Sequence, residues 1–236
     1  METLVNGLEK FHVKLSEKQL GQLVKYYDML VEKNKVMNLT AITEWEEVVV
    51  KHFLDSLAIA AVLDLKSISS VIDVGTGAGF PGIVLKIAFP YLKITLLDSL
   101  NKRVKFLNEV IQTLELEDIS AIHGRAEEVG RTTAHREKYD LCVSRAVANL
   151  STLAEYCVPF IKVGGIFCSY KGSNGMEEVE QAEHAITLLN SKIIDVNRIQ
   201  LPESDIQRIF VQIQKEKPLS KRYPRKAGLP AKEPLC

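Results

Sequence analysis

Val71-Ile72-Asp73-Val74-Gly75-Thr76-Gly77-Ala78-Gly79-Phe80-Pro81-Gly82 is the stretch that decides how this chain is read. Its first four residues predict a buried strand. Four glycines follow within eight residues, and then an apolar pattern at helical spacing (Ile83, Val84, Ile87, Ala88). Strand, glycine turn and helix bring backbone N–H groups close to a ligand at a helix N-terminus. Glycine is needed where a Cβ would block the turn or the ligand. Read literally, Gly77 to Gly82 fits G-x-G-x-x-G, the dinucleotide fingerprint.

The surroundings of the loop argue against that match. From Ser70 onward strand patterns alternate with helix patterns. Strands are expected at 71–74, 94–98, 119–123, 141–144, 166–170, 193–199 and 209–214, with helices at 83–89, 102–114, 150–160 and 176–189. The early strands are short and apolar, as in a parallel sheet covered on both faces. The last two are separated by Leu201-Pro202-Glu203-Ser204-Asp205 and a few neighbours. A parallel crossover needs about a dozen residues, so this pair must be an antiparallel hairpin. Seven strands with a terminal hairpin is not the six-stranded parallel dinucleotide sheet. It is the α/β organisation of the class I methyltransferases that use S-adenosylmethionine (SAM), a Rossmann-like seven-stranded sheet with the last strand antiparallel.

Upstream, residues 1–66 read as a helical N-terminal extension. Ser16-Glu17-Lys18-Gln19 is a capping-box signature ahead of Leu20, Leu23, Val24, Tyr27, Leu30 and Val31. That helix is expected to stop near Asn34. Thr43-Glu44-Trp45-Glu46 is a second capping signature. A SAM-binding methyltransferase domain is then expected over 67–215, and 216–236 is a basic, proline-containing tail.

Composition sets outer limits. The 236 residues are 46% apolar and 25% charged, values of an ordinary globular protein. No run approaches the roughly 18 apolar residues of a membrane span. The N-terminus lacks a basic segment followed by an apolar core, so no secretory signal is expected. Cys142, Cys157, Cys168 and Cys236 show no C-x-x-C spacing. Reduced thiols in a cytoplasmic protein, with no metal site and no membrane partner, are the expectation. Net charge is zero, yet 215–236 hold seven Lys/Arg and two Glu, a net of +5. This asymmetry points to a polyanionic partner or to a solvated basic tail.

Asp98 closes the second strand, 23 residues after Gly75, where a carboxylate accepts from ribose hydroxyls. Asp73-Val-Gly75-Thr-Gly77-Ala-Gly79 is an acid followed by G-x-G-x-G. An acid beside the loop suits a sulfonium and an ammonium and would repel a pyrophosphate. The fourth strand ends in Ser144-Arg145-Ala146-Val147-Ala148-Asn149. Neither an Asn/Asp-Pro-Pro-aromatic motif nor a Pro-Cys nucleophile is present, and no catalytic residue can be named. An acceptor with its own free lone pair, such as a purine ring nitrogen, fits that absence.

Taken together these motifs resemble the bacterial 16S ribosomal RNA guanine-N7 methyltransferase family, also called glucose-inhibited division protein B. The likeness rests on Asn34-Lys-Val-Met-Asn-Leu-Thr40, His52-Phe-Leu-Asp-Ser-Leu57 and Asp73 through Gly82. It continues in Arg125-Ala-Glu-Glu128, Ser144-Arg-Ala146, Tyr170-Lys-Gly172 and Arg222-Tyr-Pro-Arg-Lys-Ala-Gly-Leu-Pro230, with Leu229 where the family pattern has Thr. The resemblance implies SAM as donor and a guanine N7 of 16S ribosomal RNA, free or within the assembled small subunit, as acceptor. It also implies SAM contacts at Gly75, Phe80, Ala126, Glu127 and Arg145; the residue reading adds Gly77 and Asp98. Asn38, His52, Lys171, Arg222, Arg225 and Lys226, with Lys232, are candidates for contacts to the RNA. Two other readings stand beside this one: an NAD-dependent oxidoreductase, and a SAM- and RNA-binding protein without turnover.

Overall fold

The computed structural model describes residues 1–235, and Cys236 lies outside the described residues. Seven strands form one sheet: β1 (Ser70–Val74), β2 (Lys93–Asp98), β3 (Ile119–His123), β4 (Tyr139–Arg145), β5 (Ile161–Lys171), β6 (Ser191–Gln200) and β7 (Gln207–Lys215). Their spatial order is β3-β2-β1-β4-β5-β7-β6. β1 to β5 are parallel, and β7 runs antiparallel to both β5 and β6. The expected class I methyltransferase sheet with its terminal hairpin is therefore the one observed.

The helices are α1 (Glu2–Lys10), α2 (Glu17–Met37), α3 (Trp45–Val48), α4 (Asp55–Leu57), α5 (Gly82–Ala88), α6 (Asn101–Thr113), α7 (Ala126–Val129), α8 (Leu150–Cys157), α9 (Gly175–Leu188) and α10 (Leu229–Lys232). A π-helical turn, Val49–Leu54, joins α3 to α4. Alternation along the strands divides the core into two layers, because successive side chains point to opposite faces. Val71, Leu96, Leu141 and Val143 pack with the N-terminal helices, α5 and α6. Ile72, Leu97 and Cys142 pack with α8 and α9.

Ser16 and Gln19 form the expected capping box of α2. That helix runs three residues past Asn34, to Met37, and Asn38 caps it in the left-handed region at φ 48°. The second capping signature is not realised: α3 is preceded by Glu44, without a side-chain cap. α3 begins one residue later than the signature implies, and the chain ahead of it packs on α2. The Thr43 carbonyl accepts from Tyr27 Oη at 3.0 Å, and Trp45 meets the Tyr27 ring edge-on at 5.0 Å.

Tyr26 fastens the helical extension to the glycine loop. Its buried hydroxyl donates to the Ala78 carbonyl at 2.7 Å, and its ring lies 5.3 Å from that of Phe80. The loop is fixed from within by Asp73, whose Oδ2 accepts from Thr76 Oγ1 at 2.6 Å and Gly82 N–H at 2.8 Å. There is no room for a side chain at Gly82: an added Cβ would stand 2.2 Å from Leu96 Cδ2 and 2.9 Å from Asp73 Oδ2. Gly82→Ala is expected to destabilise the chain by about 1–3 kcal/mol through overpacking. A urea titration giving an unchanged midpoint would count against this tight seat.

Candidate active site

The parallel strands deliver their C-terminal ends to one edge of the sheet: Val74, Asp98, His123, Arg145 and Lys171. Two cavities open there. The first, about 260 Å³, has Gly75, Asp98, Ala126, Glu127, Val147 and Tyr156 among its walls. The second, about 570 Å³, includes Lys51, His52, Asp55, Arg145, Lys171 and Arg208. Ala148 belongs to both linings and is part of the wall between them.

The glycine loop enters the first cavity at Gly75. Gly75, Gly77 and Gly79 have φ of 72°, 64° and 111°, a region that glycine reaches without strain. The loop N–H groups already have acceptors. Gly75 and Thr76 donate to the Leu97 carbonyl, Gly77 to Asp98 Oδ2, and Gly79 and Phe80 to the Thr76 carbonyl. These five N–H groups are not free to cradle a pyrophosphate. Gly82 belongs to α5 and donates to Asp73, so the literal dinucleotide match is a by-product of how the next helix begins.

The remaining chemistry of this cavity suits an adenosyl ligand. Asp98 and Glu127 bring carboxylate acceptors for hydroxyl and amino groups, while Val74, Leu97 and Tyr156 offer flat or apolar walls. Asp98 also shapes the site, accepting from Leu100 N–H at 2.8 Å and lying 3.4 Å from Arg103. Asp73 is fully buried and is not among the cavity walls, so its direct part is loop geometry rather than contact with a cation. Its Oδ1 has no partner, and burial raises its carboxyl to about 6.

The second cavity is built around Asp55. This carboxylate, without solvent exposure, accepts from Arg145 at 2.7 Å and from Arg208 at 2.9 and 3.3 Å. Arg145 also donates to the Lys51 carbonyl and sits 5.2 Å above the Phe80 ring centroid. His52 stacks on the same Phe80 ring, at 4.4 Å and 17°. Its Nδ1 lies 3.2 Å from the Arg145 guanidinium and must accept, which leaves the proton on Nε2, 3.0 Å from Thr40 Oγ1. Burial, followed by the charge of Arg145, lowers the imidazole to about 3, so it is neutral at ordinary pH. Lys171 donates to the Ala148 carbonyl at 2.6 Å and pairs with Glu178 at 2.7 Å.

The expected site residues thus divide. Gly75, Asp98, Ala126 and Glu127 meet at the first cavity. Gly77 supports it through Asp98. Arg145, expected beside the cofactor, lines the second cavity together with His52 and Lys171, and Phe80 lies beneath Arg145 and His52 without lining either cavity. Asn38 reaches neither: it is the end of α2. Arg222 and Lys226 keep exposed side chains. Arg225 is half-buried, and its guanidinium pairs with buried Glu155 at 2.7–3.0 Å, so the structure gives it an internal partner in place of the expected phosphate. Asp55, Arg208 and Lys51 were not singled out beforehand. Asp55 did carry a signal, as a lone carboxylate among Phe53, Leu54, Leu57 and Ala58; such a charge needs a partner.

Residues 19–207 match the model of the GidB family, described as rRNA small subunit methyltransferase G. The chain belongs to this family. It is 53% identical over 232 residues to ribosomal RNA small subunit methyltransferase G of Alkaliphilus metalliredigens (strain QYMF), covering 98% of this chain and 97% of that one. The protein of the same description from Acetivibrio thermocellus is 52% identical over 232 residues, covering 98% and 95%. Among solved structures, the O-MT segment of StiE (residues 961–1257) superposes with a TM-score of 0.52 at 16% identity, covering 75% and 84%, a likeness of fold. Protein PH0793 of Pyrococcus horikoshii gives 0.51 at 14% identity, covering 63% of this chain and 58% of that one. The family carries SAM-dependent methylation of ribosomal RNA. The dinucleotide oxidoreductase and the protein without turnover drop out as alternatives.

Among the described residues, no group of three His, Cys, Asp or Glu is placed to hold a metal ion, and no helix is long and apolar enough to cross a membrane. Cys142, Cys157 and Cys168 are buried and unpaired by disulfides, and burial pushes the Cys142 and Cys168 thiols up, away from nucleophilic thiolate.

The depressed His52 makes a pH prediction. Unfolded, the imidazole takes up a proton below about pH 6.5; folded, it does so only near 3. The unfolded state binds more protons across that window, so stability is lost as pH falls from about 6.5 toward 3. His52→Phe keeps a ring on Phe80 and removes the titration. Urea unfolding measured across that window is expected to show a pH slope smaller by one proton; an unaltered slope would place the pH sensitivity elsewhere.

Proposed function

We propose that this chain transfers a methyl group from SAM to N7 of a guanine in 16S ribosomal RNA, on the naked RNA or within the assembled small subunit. The observation that carries the choice of acceptor is the lack of an available base in the second cavity. Its titratable acceptors are all engaged: Asp55 with two arginines, Glu178 with Lys171 and Leu150 N–H, His52 with Arg145 and Thr40. A guanine N7 already carries a free lone pair and needs no proton removed.

SAM, when bound, supplies a methyl carbon activated by its sulfonium. The residues then act by placement. Asp98 is positioned to take ribose hydroxyls, Ala126 and Glu127 to border the base, and Gly75 to leave room at the sulfonium end. On the other side of Ala148, Lys51, Arg145, Lys171 and Arg208 outnumber the carboxylates Asp55 and Glu178, which suits a polyanionic substrate. Asp55 moderates the Arg145 and Arg208 charges, so a purine ring that gains positive charge meets a partly neutralised wall. Alignment of this kind can be worth roughly 7–11 kcal/mol of barrier. Residues 1–66 contribute Ile42, Lys51, His52 and Asp55 to the acceptor cavity, and exposed Arg222, Lys226 and Lys232 offer further phosphate contacts. An unpaired or splayed guanine is the required form, because the narrow major groove of an RNA helix hides N7.

Incubation with methyl-labelled SAM and either 16S RNA or small subunits, followed by cleavage at 7-methylguanine, tests the proposal. Label at one guanine is expected; label on another atom, or none in either substrate, sinks it. A variant separates the cavities. Arg145→Lys keeps the charge and loses the fork that reaches Asp55, Lys51 and His52 together. Transfer is expected to fall about hundredfold while the SAM Kd changes by less than about twofold. A large rise in that Kd would return Arg145 to the cofactor.

A further inference from the structure

The segment beyond β7 reads in the sequence as a basic, proline-containing tail, and residues 208–236 lie outside the span matched by the family model, 19–207. It is nevertheless docked along the face of α8, and several independent contacts fix it there. Arg136 donates to the carbonyls of Leu219, Ser220 and Tyr223 at 2.9–3.1 Å. Arg131 reaches those of Lys221, Arg222 and Pro224. Leu219, Tyr223 and Pro230 are buried. Arg225 forms its bidentate pair with Glu155, a carboxylate of α8 that has no solvent exposure. The segment then turns at Gly228 (φ 82°) into α10.

That turn brings the tail to the adenosyl cavity. Gly228 N–H donates to Glu127 Oε1 at 2.7 Å, and Glu127 is one of the cavity walls. Thr152 Oγ1 donates to the Pro230 carbonyl at 3.1 Å. The next residue, Ala231, lines the cavity itself, as Asp98 and Gly75 do.

We infer that the C-terminal segment is a working part of the cofactor site: Ala231 completes its wall, the Gly228–Glu127 bond orients the Glu127 carboxylate, and the Arg225–Glu155 pair holds both in place. SAM and the docked tail then support each other. Linkage makes the effect reciprocal: a tail that raises affinity for SAM must itself be held more firmly when SAM is bound. The matched relatives align over nearly their whole length and so include a counterpart of this segment, although the family model ends before it.

Two measurements on the full-length chain test this, neither of which needs turnover. Trypsin cleaves after exposed Lys226 and Lys232, with exposed Lys35 as a remote reference. Saturating SAM or S-adenosylhomocysteine is expected to slow cleavage at Lys226 and Lys232 about tenfold and to leave Lys35 unchanged. Calorimetry of Arg225→Gln/Glu155→Gln, which removes both charges and leaves no buried ion unpaired, is expected to show a SAM Kd raised about tenfold. Tail cleavage indifferent to SAM overturns the inference, whether or not the double variant folds; so does an unchanged Kd in a folded double variant. If the unaltered chain binds no SAM, the cofactor assignment falls first and the tail's role falls with it.

Discussion

A single buried carboxylate oxygen closes the loop on which the molecule depends. Asp73 Oδ2 holds Thr76 Oγ1 and Gly82 N–H at once, so β1, the glycine turn and α5 form one clasp. The clasp fixes the direction in which Gly75 leaves the sheet and lets Gly75 and Thr76 reach the Leu97 carbonyl of β2. It presents the Ala78 carbonyl to Tyr26 and the Phe80 ring to His52 and Arg145. The helical extension, the cofactor cavity and the acceptor cavity therefore share one geometric reference. A buried carboxylate raised to about 6 is an unfavourable group to keep; its retention at this point is understandable because two loop donors would otherwise be orphaned there.

The two cavities divide the chemistry by charge. On the adenosyl side carboxylates line the walls and loop donors are internally satisfied. On the acceptor side arginines and lysines prevail, tempered by Asp55. In the proposed function this arrangement separates the hydroxyl- and amine-bearing donor molecule from the phosphate-bearing acceptor, with the Ala148 stretch between them. Lys171 ties the Ala148 carbonyl to Glu178, and Glu178 also accepts from Leu150 N–H at the start of α8. The dividing wall, a loop between β4 and α8, is thus held by β5 and α9 as well.

Most of the sheet was legible because its signals are local. Apolar runs mark β1, β2 and β4, and the short link between β6 and β7 leaves only a hairpin. The capping box at Ser16 was likewise readable, since its partner Gln19 is three residues away. What escaped depends on partners far along the chain. Thr43 is passed over as a cap: α3 starts one residue later, at Trp45, whose ring packs on Tyr27. Asn38, quoted within a family phrase, serves the backbone as a left-handed helix end. The tail looked like a free phosphate-binding arm because nothing in its prolines and basic residues announces that Arg131, Arg136 and Glu155 await it. The resemblance sets Arg145 beside the cofactor; in the structure Asp55, the carboxylate it shares with Arg208, holds it at the second cavity.

The wall at Ala148 bears on how this methyltransferase could be blocked selectively. A compound confined to the smaller cavity would meet the Asp98 carboxylate and a glycine turn, features useful to any adenosyl-binding protein. A compound extended past Ala148 would meet the Arg145–Asp55–Arg208 cluster and the neutral His52 stacked on Phe80. That second half demands an uncharged or anionic planar group rather than a cation. Selectivity in such an inhibitor is therefore to be sought in the portion that crosses the wall, not in the adenosyl mimic that anchors it.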